Sequence, residues 1–243
     1  ASAANSGLKA ARGKYINFLD DDDVFYPHHV ACLVNHLEMT HEKVAYSNVL
    51  NVFFEGPPEN PGNRGKEELV FNFDFDPHRL LFENYIPIMG VLFSKEILEQ
   101  VAGFSETLTL FEDWDFWMQA SRHFPFAHVN NTTAEYRFYG TTGMATSHRM
   151  KYQYDQAREI MFDRALPHMN GRAWAAWQKG ASARCQPPKT PSNADQRGAH
   201  ELPGDPPALL DPAEMQYLQE AEQRLCHKIS HLESRIHSLN RVQ

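Results

Sequence analysis

The chain has 243 residues, of which 42% are hydrophobic and 22% charged, and this composition excludes a fibrous or globally disordered protein. It contains 23 basic and 31 acidic residues, so its net charge is −8. A general nucleic-acid binder is therefore not expected, because such proteins neutralise backbone phosphates with clustered cations.

The first part of the chain predicts alternating helices and strands. Residues 2–12 have the pattern of a helix that ends at Gly13, and residues 14–19 form a short predicted strand. Four consecutive aspartates follow this strand, and Pro27 suits the first turn of a second helix that runs to about residue 40. Further predicted strands occupy residues 44–52, 69–73 and 88–93.

The second part continues the alternation. Its predicted helices are residues 95–101, 112–122 and 147–166, and its predicted strands are residues 127–129 and 134–139. Alternating elements of this length predict an α/β layered fold.

A different composition begins near residue 183. Seven of the 15 prolines lie within residues 183–212, which we interpret as a linker between residues 1–182 and a last segment, residues 213–243. That last segment has apolar residues spaced three and four apart, which predicts a coiled-coil helix and a homodimer. The alternative is a single amphipathic helix that docks on its own domain. The repeat consists of Met215, Leu218, Glu222, Leu225, Ile229, Leu232, Ile236 and Leu239.

The aspartate run, Asp20 to Asp23, is the first candidate site. Carboxylates packed this tightly repel one another, and a divalent cation would supply the missing positive charge. Oxygen ligands suit Mg²⁺ or Mn²⁺, whose remaining positions would go to water and a substrate phosphate. The alternative is a solvated acidic turn that caps the next helix.

A second acidic group lies at the start of the helix predicted at 112–122. Glu112, Asp113 and Asp115 lie close in sequence to Trp114 and Trp117. A carboxylate beside a Trp ring is a common way to bind a sugar. The acids could instead stabilise the helix N-terminus through its dipole, and the rings could equally belong to the core.

Arg137 lies in the sequence Tyr-Arg-Phe-Tyr-Gly at the end of a predicted strand. A guanidinium group can bind a diphosphate through two parallel hydrogen bonds. An ion pair with Glu112 or Asp113 is the alternative.

Taken in order, these motifs resemble those of family 2 glycosyltransferases of the GT-A type. Residues 3–27 are similar to the family pattern A-R-N-x-G, A-x-G-x-Y-I-x-F-L-D-x-D-D followed by Pro. Three further segments are similar to motifs of the same family: V-A-G-F-S-E at 101–106, E-D-W-D at 112–115 and Y-R at 136–137. The resemblance covers about residues 1 to 145. It implies a GT-A (Rossmann-like) mixed sheet with flanking helices, and we expect the family's first βαβ portion to precede Ala1.

The resemblance also implies a role for each residue on the donor side. Asp20 and Asp22 would form the D-x-D pair, with Asp22 as a direct ligand of Mg²⁺ or Mn²⁺ and Asp23 as its neighbour. Asp20, Asp21 and Arg137 would contact the nucleotide diphosphate sugar, with Arg137 on a closing loop.

On the acceptor side, the resemblance implies that Asp113 is the general base and that Glu112 orients the acceptor, beside Trp114 and Trp117. The predicted function is inverting sugar transfer to a hydroxyl of a glycan or glycolipid acceptor, in surface glycan biosynthesis. Two alternatives are a metal-dependent nucleotidyl or phosphoryl transferase and a non-catalytic sugar-binding or assembly module.

Three cysteines, Cys32, Cys185 and Cys226, are far apart and form no C-x-x-C pair, which is typical of a reducing compartment. No apolar run approaches the roughly 20 residues that span a bilayer. We therefore expect a cytoplasmic protein, with peripheral association at the inner face of the membrane as a further option.

Overall fold

The structure is a computed structural model that describes residues 1–58, 60–140, 148–170 and 172. Its first compact unit spans Ala1–His168. The predicted linker, 183–212, and the predicted coiled coil, 213–243, lie outside the described residues. None of the described helices combines the length and the apolar character needed to cross a bilayer.

Helices and strands alternate along the described chain. The α-helices are α1 (Ser2–Ala10), α2 (His29–Thr40), α3 (Pro77–Leu80), α4 (Glu112–Ala120) and α5 (His148–Ala165). The strands are β1 (Tyr15–Asn17), β2 (Val24–Phe25), β3 (Val44–Phe54), β4 (Arg64–Phe71), β5 (Val91–Ser94) and β6 (Phe126–Tyr139). Short turns of 3₁₀ helix occur at Ile88–Gly90, Lys95–Glu99 and Leu166–His168.

All six strands join one mixed sheet. The order is β1-β5-β3-β6-β2, and β4 pairs with the second half of β3. The long pair of β3 and β6 is parallel, whereas the other pairs are antiparallel. The predicted α/β class, a mixed sheet with flanking helices, is therefore confirmed.

Several predicted elements differ from the structure. The strands predicted at 127–129 and 134–139 are one strand, β6, because the polar residues Asn130 and Asn131 form an irregularity in its pairing with β3 rather than a loop. The helix predicted at 95–101 is a 3₁₀ turn at Lys95–Glu99.

Helix α2 packs on the sheet through Leu33 and Leu37, which are fully buried against β3 and β5. The apolar Val30 of this helix is 48% exposed, whereas the polar His29 is buried. His29 can be buried because its Nδ1 lies 2.6 Å from the hydroxyl of Thr133 on β6. Burial lowers the pKa of His29 to about 4, so its ring is neutral at pH 7.

Helix α1 is attached to the loop that precedes α4 through Asn5. The Asn5 amide donates to the Phe104 carbonyl at 2.8 Å, and the Phe104 N–H donates back to Asn5 Oδ1 at 2.9 Å. Gly103 adopts a φ of +93°, and a Cβ there would lie 2.9 Å from Asn5 Oδ1. Two motifs that are about 100 residues apart in the sequence are therefore two halves of one contact.

We expect Asn5→Ala to lower the free energy of unfolding by about 1–3 kcal/mol, because both backbone groups of Phe104 lose their partner. Urea unfolding measures this change. Ser6→Ala is the matched control, since the exposed Ser6 hydroxyl bonds to Ser2 within the same helix. Equal effects of the two substitutions would contradict the proposed importance of the Asn5 contact.

Candidate active site

The aspartate run forms the loop between β1 and β2. Asp20, Asp21 and Asp22 are exposed, whereas Asp23 is 6% exposed. One oxygen of Asp23 accepts the backbone N–H of Arg137 at 2.9 Å. Its other oxygen is buried and has no hydrogen-bond partner among the described residues. The loop is thus attached to β6 by Asp23 and presents its other carboxylates outward.

The carboxylates of this loop repel one another. The pKa of Asp23 is raised to about 7, chiefly by burial and also by the charges of Asp22 and Asp20, and the hydrogen bond from Arg137 opposes this shift. The pKa of Asp20 is also raised, first by partial burial and then by the charges of Asp22, Asp21 and Glu112. Positive charge placed here would stabilise the ionised forms.

Asp113 lies in the first turn of α4, after Phe111, whose φ of 66° is unusual for a residue with a side chain. One carboxylate oxygen accepts the Trp114 backbone N–H at 2.7 Å. The other accepts the side-chain amide of Asn84 at 3.1 Å. Burial raises the pKa of Asp113 to about 6, and both hydrogen bonds oppose this shift.

Tyr136 of β6 connects the two acidic groups. Its pKa is raised to about 12, first by burial and then by the negative charges of four carboxylates that lie within electrostatic range of its hydroxyl. Those carboxylates belong to Asp23, Asp113, Asp22 and Asp20. The charge of Glu112 likewise acts on Asp20. The aspartate loop, which bonds to the neighbouring Arg137 N–H, and the start of α4 therefore both lie near Tyr136, and we call its surroundings the common region beside Tyr136.

Arg137 lies on β6 and not on a loop, which corrects its expected position. Its Nε and Nη2 are each 2.9 Å from one oxygen of Glu135, so its partner is neither Glu112 nor Asp113. Glu135 is 4% exposed and also accepts hydrogen bonds from Arg64 and Tyr26. These donors lower the pKa of Glu135 against the effect of burial. Glu135 was not identified from the sequence, since only the strand pairing brings its partners together.

Trp114 and Trp117 do not present their rings to an acceptor. Trp114 is 4% exposed and Trp117 is fully buried, where it packs edge to face on Phe93 and Phe126. The indole N–H of Trp114 donates to the Leu80 carbonyl at 2.6 Å. The prediction that both rings bind the acceptor is wrong in this structure, and the alternative of core residues is correct.

Asp115, the third acid of this motif, has a structural role. It is 3% exposed, lies 2.7 Å from Arg164 of α5 and accepts the side-chain amide of Gln119. Arg164 also donates to the hydroxyls of Ser105 and Thr107. Asp115 thereby joins α4 to α5 and to the loop before α4.

Partly exposed aromatic rings lie along the sheet face that carries Tyr136. Tyr136 contacts Phe138 at a ring-centroid distance of 4.7 Å, and Phe138 stacks on Phe53 at 4.7 Å. Phe71 of β4 is 6.4 Å from Tyr136. Tyr136 and Phe138 are two residues apart in a strand, and this spacing alone predicts that their side chains lie on the same face of the sheet.

The donor set at the aspartate loop fits a hard divalent cation. All its ligating atoms are carboxylate oxygens, and the buried Asp23 oxygen lacks a partner in the described part of the chain. Among the described residues, no three His, Cys, Asp or Glu side chains converge to hold an ion. Mg²⁺ commonly binds to only one or two protein carboxylates, and substrate phosphates and water supply its other ligands.

Curated relatives of this chain are named as glycosyltransferases. A Bacillus subtilis protein, the uncharacterized glycosyltransferase YwdF, is 26% identical over 140 residues, which are 56% of this chain and 50% of that protein. An uncharacterized glycosyltransferase from Rickettsia bellii is 27% identical over 133 residues, which are 50% of this chain and 18% of that protein. The chain therefore spans half the length of the first relative and less of the second.

Among solved structures, S. aureus TarS 1-349 in complex with UDP-GlcNAc matches 67% of this chain and 50% of its own, with 14% identity and a TM-score of 0.45. The same protein in complex with UDP matches 65% of this chain and 43% of its own, with 18% identity and a TM-score of 0.43. Residues 1–101 match the model of glycosyl transferase family 2. In these residues the chain is similar to glycosyl transferase family 2, as the order of its sequence motifs predicted.

Proposed function

We propose that this chain catalyses transfer of a sugar from a nucleotide diphosphate sugar to a hydroxyl group, with inversion at the anomeric carbon and with a divalent cation. The observation that carries this proposal is that the aspartate loop bonds to β6 directly beside Tyr136 and that the charges of this loop and of Asp113 both act on Tyr136. A leaving diphosphate needs positive charge on one side of the sugar, and the acceptor needs a base on the other.

On the donor side, we assign Asp22 and Asp20 to the cation, Mg²⁺ or Mn²⁺. When bound, the cation offsets the negative charge that develops on the leaving diphosphate. Asp21 lies between these two residues, and Asp23 holds the loop against β6 through the Arg137 N–H. Arg137, whose guanidinium is oriented by Glu135, is assigned to the diphosphate.

On the acceptor side, Asp113 is assigned as the general base. Its pKa of about 6 keeps the carboxylate ionised at pH 7 and makes it a stronger base than an ordinary Asp. Asp113 takes the proton of the acceptor hydroxyl while the hydroxyl oxygen bonds to the anomeric carbon and the bond from that carbon to the phosphate oxygen breaks. Attack from the face opposite the leaving group inverts the configuration, and Glu112 orients the acceptor.

The acceptor sugar is assigned to the partly exposed rings of Tyr136 and Phe138, in place of the buried Trp114 and Trp117. The apolar C–H face of a sugar packs well on such rings. We retain a glycan or glycolipid of the cell surface as the proposed acceptor class, and the homodimer through residues 213–243 stays a prediction.

The direct test is to incubate the chain with Mn²⁺ and a panel of UDP, GDP and TDP sugars, with and without a mixture of glycan acceptors. We expect release of the nucleoside diphosphate from at least one donor, faster with acceptor and abolished by EDTA. Release of a nucleoside monophosphate or pyrophosphate would instead favour phosphoryl or nucleotidyl transfer. Absence of both release and donor binding across the panel would contradict the proposal.

A further inference from the structure

Asn84 is a polar residue beside the proposed base that the sequence motifs did not identify. It lies in the loop after α3, and its amide nitrogen is 3.1 Å from Asp113 Oδ2. An ionised carboxylate only accepts hydrogen bonds, so the NH₂ group and not the oxygen of Asn84 must face Asp113. The orientation of the Asn84 amide is thereby fixed, with its oxygen directed away from the carboxylate.

The loop that carries Asn84 is held firmly against the fold. Tyr85 and Ile86, which follow it, are 2% and 0% exposed, and the Tyr85 hydroxyl bonds to both backbone groups of Asp76. The Trp114 indole joins Leu80, just before this loop, to the first turn of α4. Trp114 therefore fixes the distance between the loop of Asn84 and the helix of Asp113.

The other end of the Asn84 amide is unusual. Its oxygen is buried and has no hydrogen-bond partner in the part of the chain that the structure describes. A buried acceptor without a donor costs free energy, and such groups in native proteins call for an explanation. A hydroxyl group of a bound sugar is a donor of suitable size that would satisfy this oxygen.

The two oxygens of Asp113 are thus held by two fixed donors, the Trp114 N–H at 2.7 Å and the Asn84 amide at 3.1 Å. Two bonds in fixed directions leave the carboxylate one orientation, with lone pairs still available for an incoming proton. The charged and titratable groups that act on this carboxylate are Glu112 on the same helix and Tyr136 on β6.

We propose that Asn84 is a positioning residue that orients the Asp113 carboxylate and accepts, through its own Oδ1, a hydrogen bond from a second hydroxyl of the acceptor sugar. This inference rests on the proposed function and refines it, since the acceptor must then present two hydroxyls near each other. Pyranose rings with vicinal hydroxyls meet this requirement, whereas a simple alcohol does not.

The first test does not depend on activity. The Asp113 carboxyl carbon is titrated by NMR in the wild-type chain, in Asn84→Leu, which has no donor, and in Asn84→Ser, which keeps a hydroxyl donor. We expect the midpoint of the Asp113 titration to rise in Asn84→Leu by about one pH unit, because the lost hydrogen bond favours the ionised form.

Asn84→Ser should show a smaller rise, and Asn84→Ala replaces Asn84→Leu if the latter does not fold. An unchanged titration in folded Asn84→Leu or Asn84→Ala overturns the positioning role.

The second test uses the donor and acceptor identified by the transfer assay. We expect Asn84→Leu to raise KM for the acceptor at least about fivefold, to move the acid limb of the pH profile upward and to leave donor binding unchanged. An unchanged KM overturns the hydroxyl contact. Glu83→Gln is the matched control, because it removes the ion pair of the neighbouring residue with Arg79 and should change neither quantity.

The two failures can be told apart. If the wild-type chain transfers sugar and Asp113→Asn does not, whereas Asn84→Leu behaves as wild type, only the role of Asn84 is wrong. If no variant and no wild-type preparation releases a nucleoside diphosphate, the proposed function itself fails, and the NMR titration still decides whether Asn84 acts on Asp113.

Discussion

Asp113→Asn is expected to lower the rate of sugar transfer by about 10²–10⁴-fold, the range typical for loss of a general base. The substitution keeps the size of the side chain and an oxygen for the Trp114 N–H, so α4 should fold as before. Donor binding should be unchanged, because the nucleotide is assigned to the opposite side of the site. Release of nucleoside diphosphate with saturating acceptor measures the rate, and calorimetry measures donor binding.

The control for this substitution is Glu99→Gln, which removes one exposed negative charge outside the proposed site. It should transfer sugar at the wild-type rate. If Asp113→Asn also does so while folded, Asp113 is not the base, and the common region beside Tyr136 must work by another mechanism.

The pH dependence of transfer follows from the same carboxylate. A general base works in its ionised form, and burial raises the pKa of Asp113 to about 6. Activity should therefore rise with pH through about 6 and level off above it, whereas an ordinary Asp would already be fully active at pH 5. The residual activity of Asp113→Asn should not show this rise with pH. Measurement of kcat/KM over a series of pH values tests both expectations.

Asp22→Asn is the second substitution for which we expect a large loss, of about 10²-fold or more in transfer rate at low cation concentration. The Asp22 side chain is exposed at the outer part of the loop, so its role there is not one of packing. The physical reason for the loss is weaker cation binding, which leaves the charge on the departing diphosphate uncompensated. High Mn²⁺ should restore part of the activity, and this rescue separates Asp22 from Asp113.

Binding of Mn²⁺ to the chain, followed by electron paramagnetic resonance in the presence of a nucleoside diphosphate, measures the effect of Asp22→Asn directly. Affinity should fall, and Glu99→Gln should leave it unchanged. Wild-type affinity in Asp22→Asn would assign the cation to other carboxylates of the loop.

Much of the local structure could be predicted from sequence patterns. Hydrophobic periodicity located the two long helices α2 and α5, the strands β1 and β3 and the two ends of β6, because an amphipathic pattern specifies which face of an element is buried. The motifs near Asp20 and Asp113 predicted a resemblance to glycosyl transferase family 2, and residues 1–101 match the model of that family. The separate motifs around Asn5 and Gly103 were visible, although their mutual contact was not.

The environment of each side chain depends on how the elements pack together. Trp114 and Trp117 share a motif with Asp113, yet they are core residues, because other elements cover α4 on several sides and bury every residue from Trp114 to Met118. The hydrogen bond from Asn84 to Asp113 joins residues 29 positions apart, and the pairing of Arg64 with Glu135 joins residues 71 apart. Such contacts depend on which strands and loops become neighbours, and local sequence patterns carry no information about that pairing.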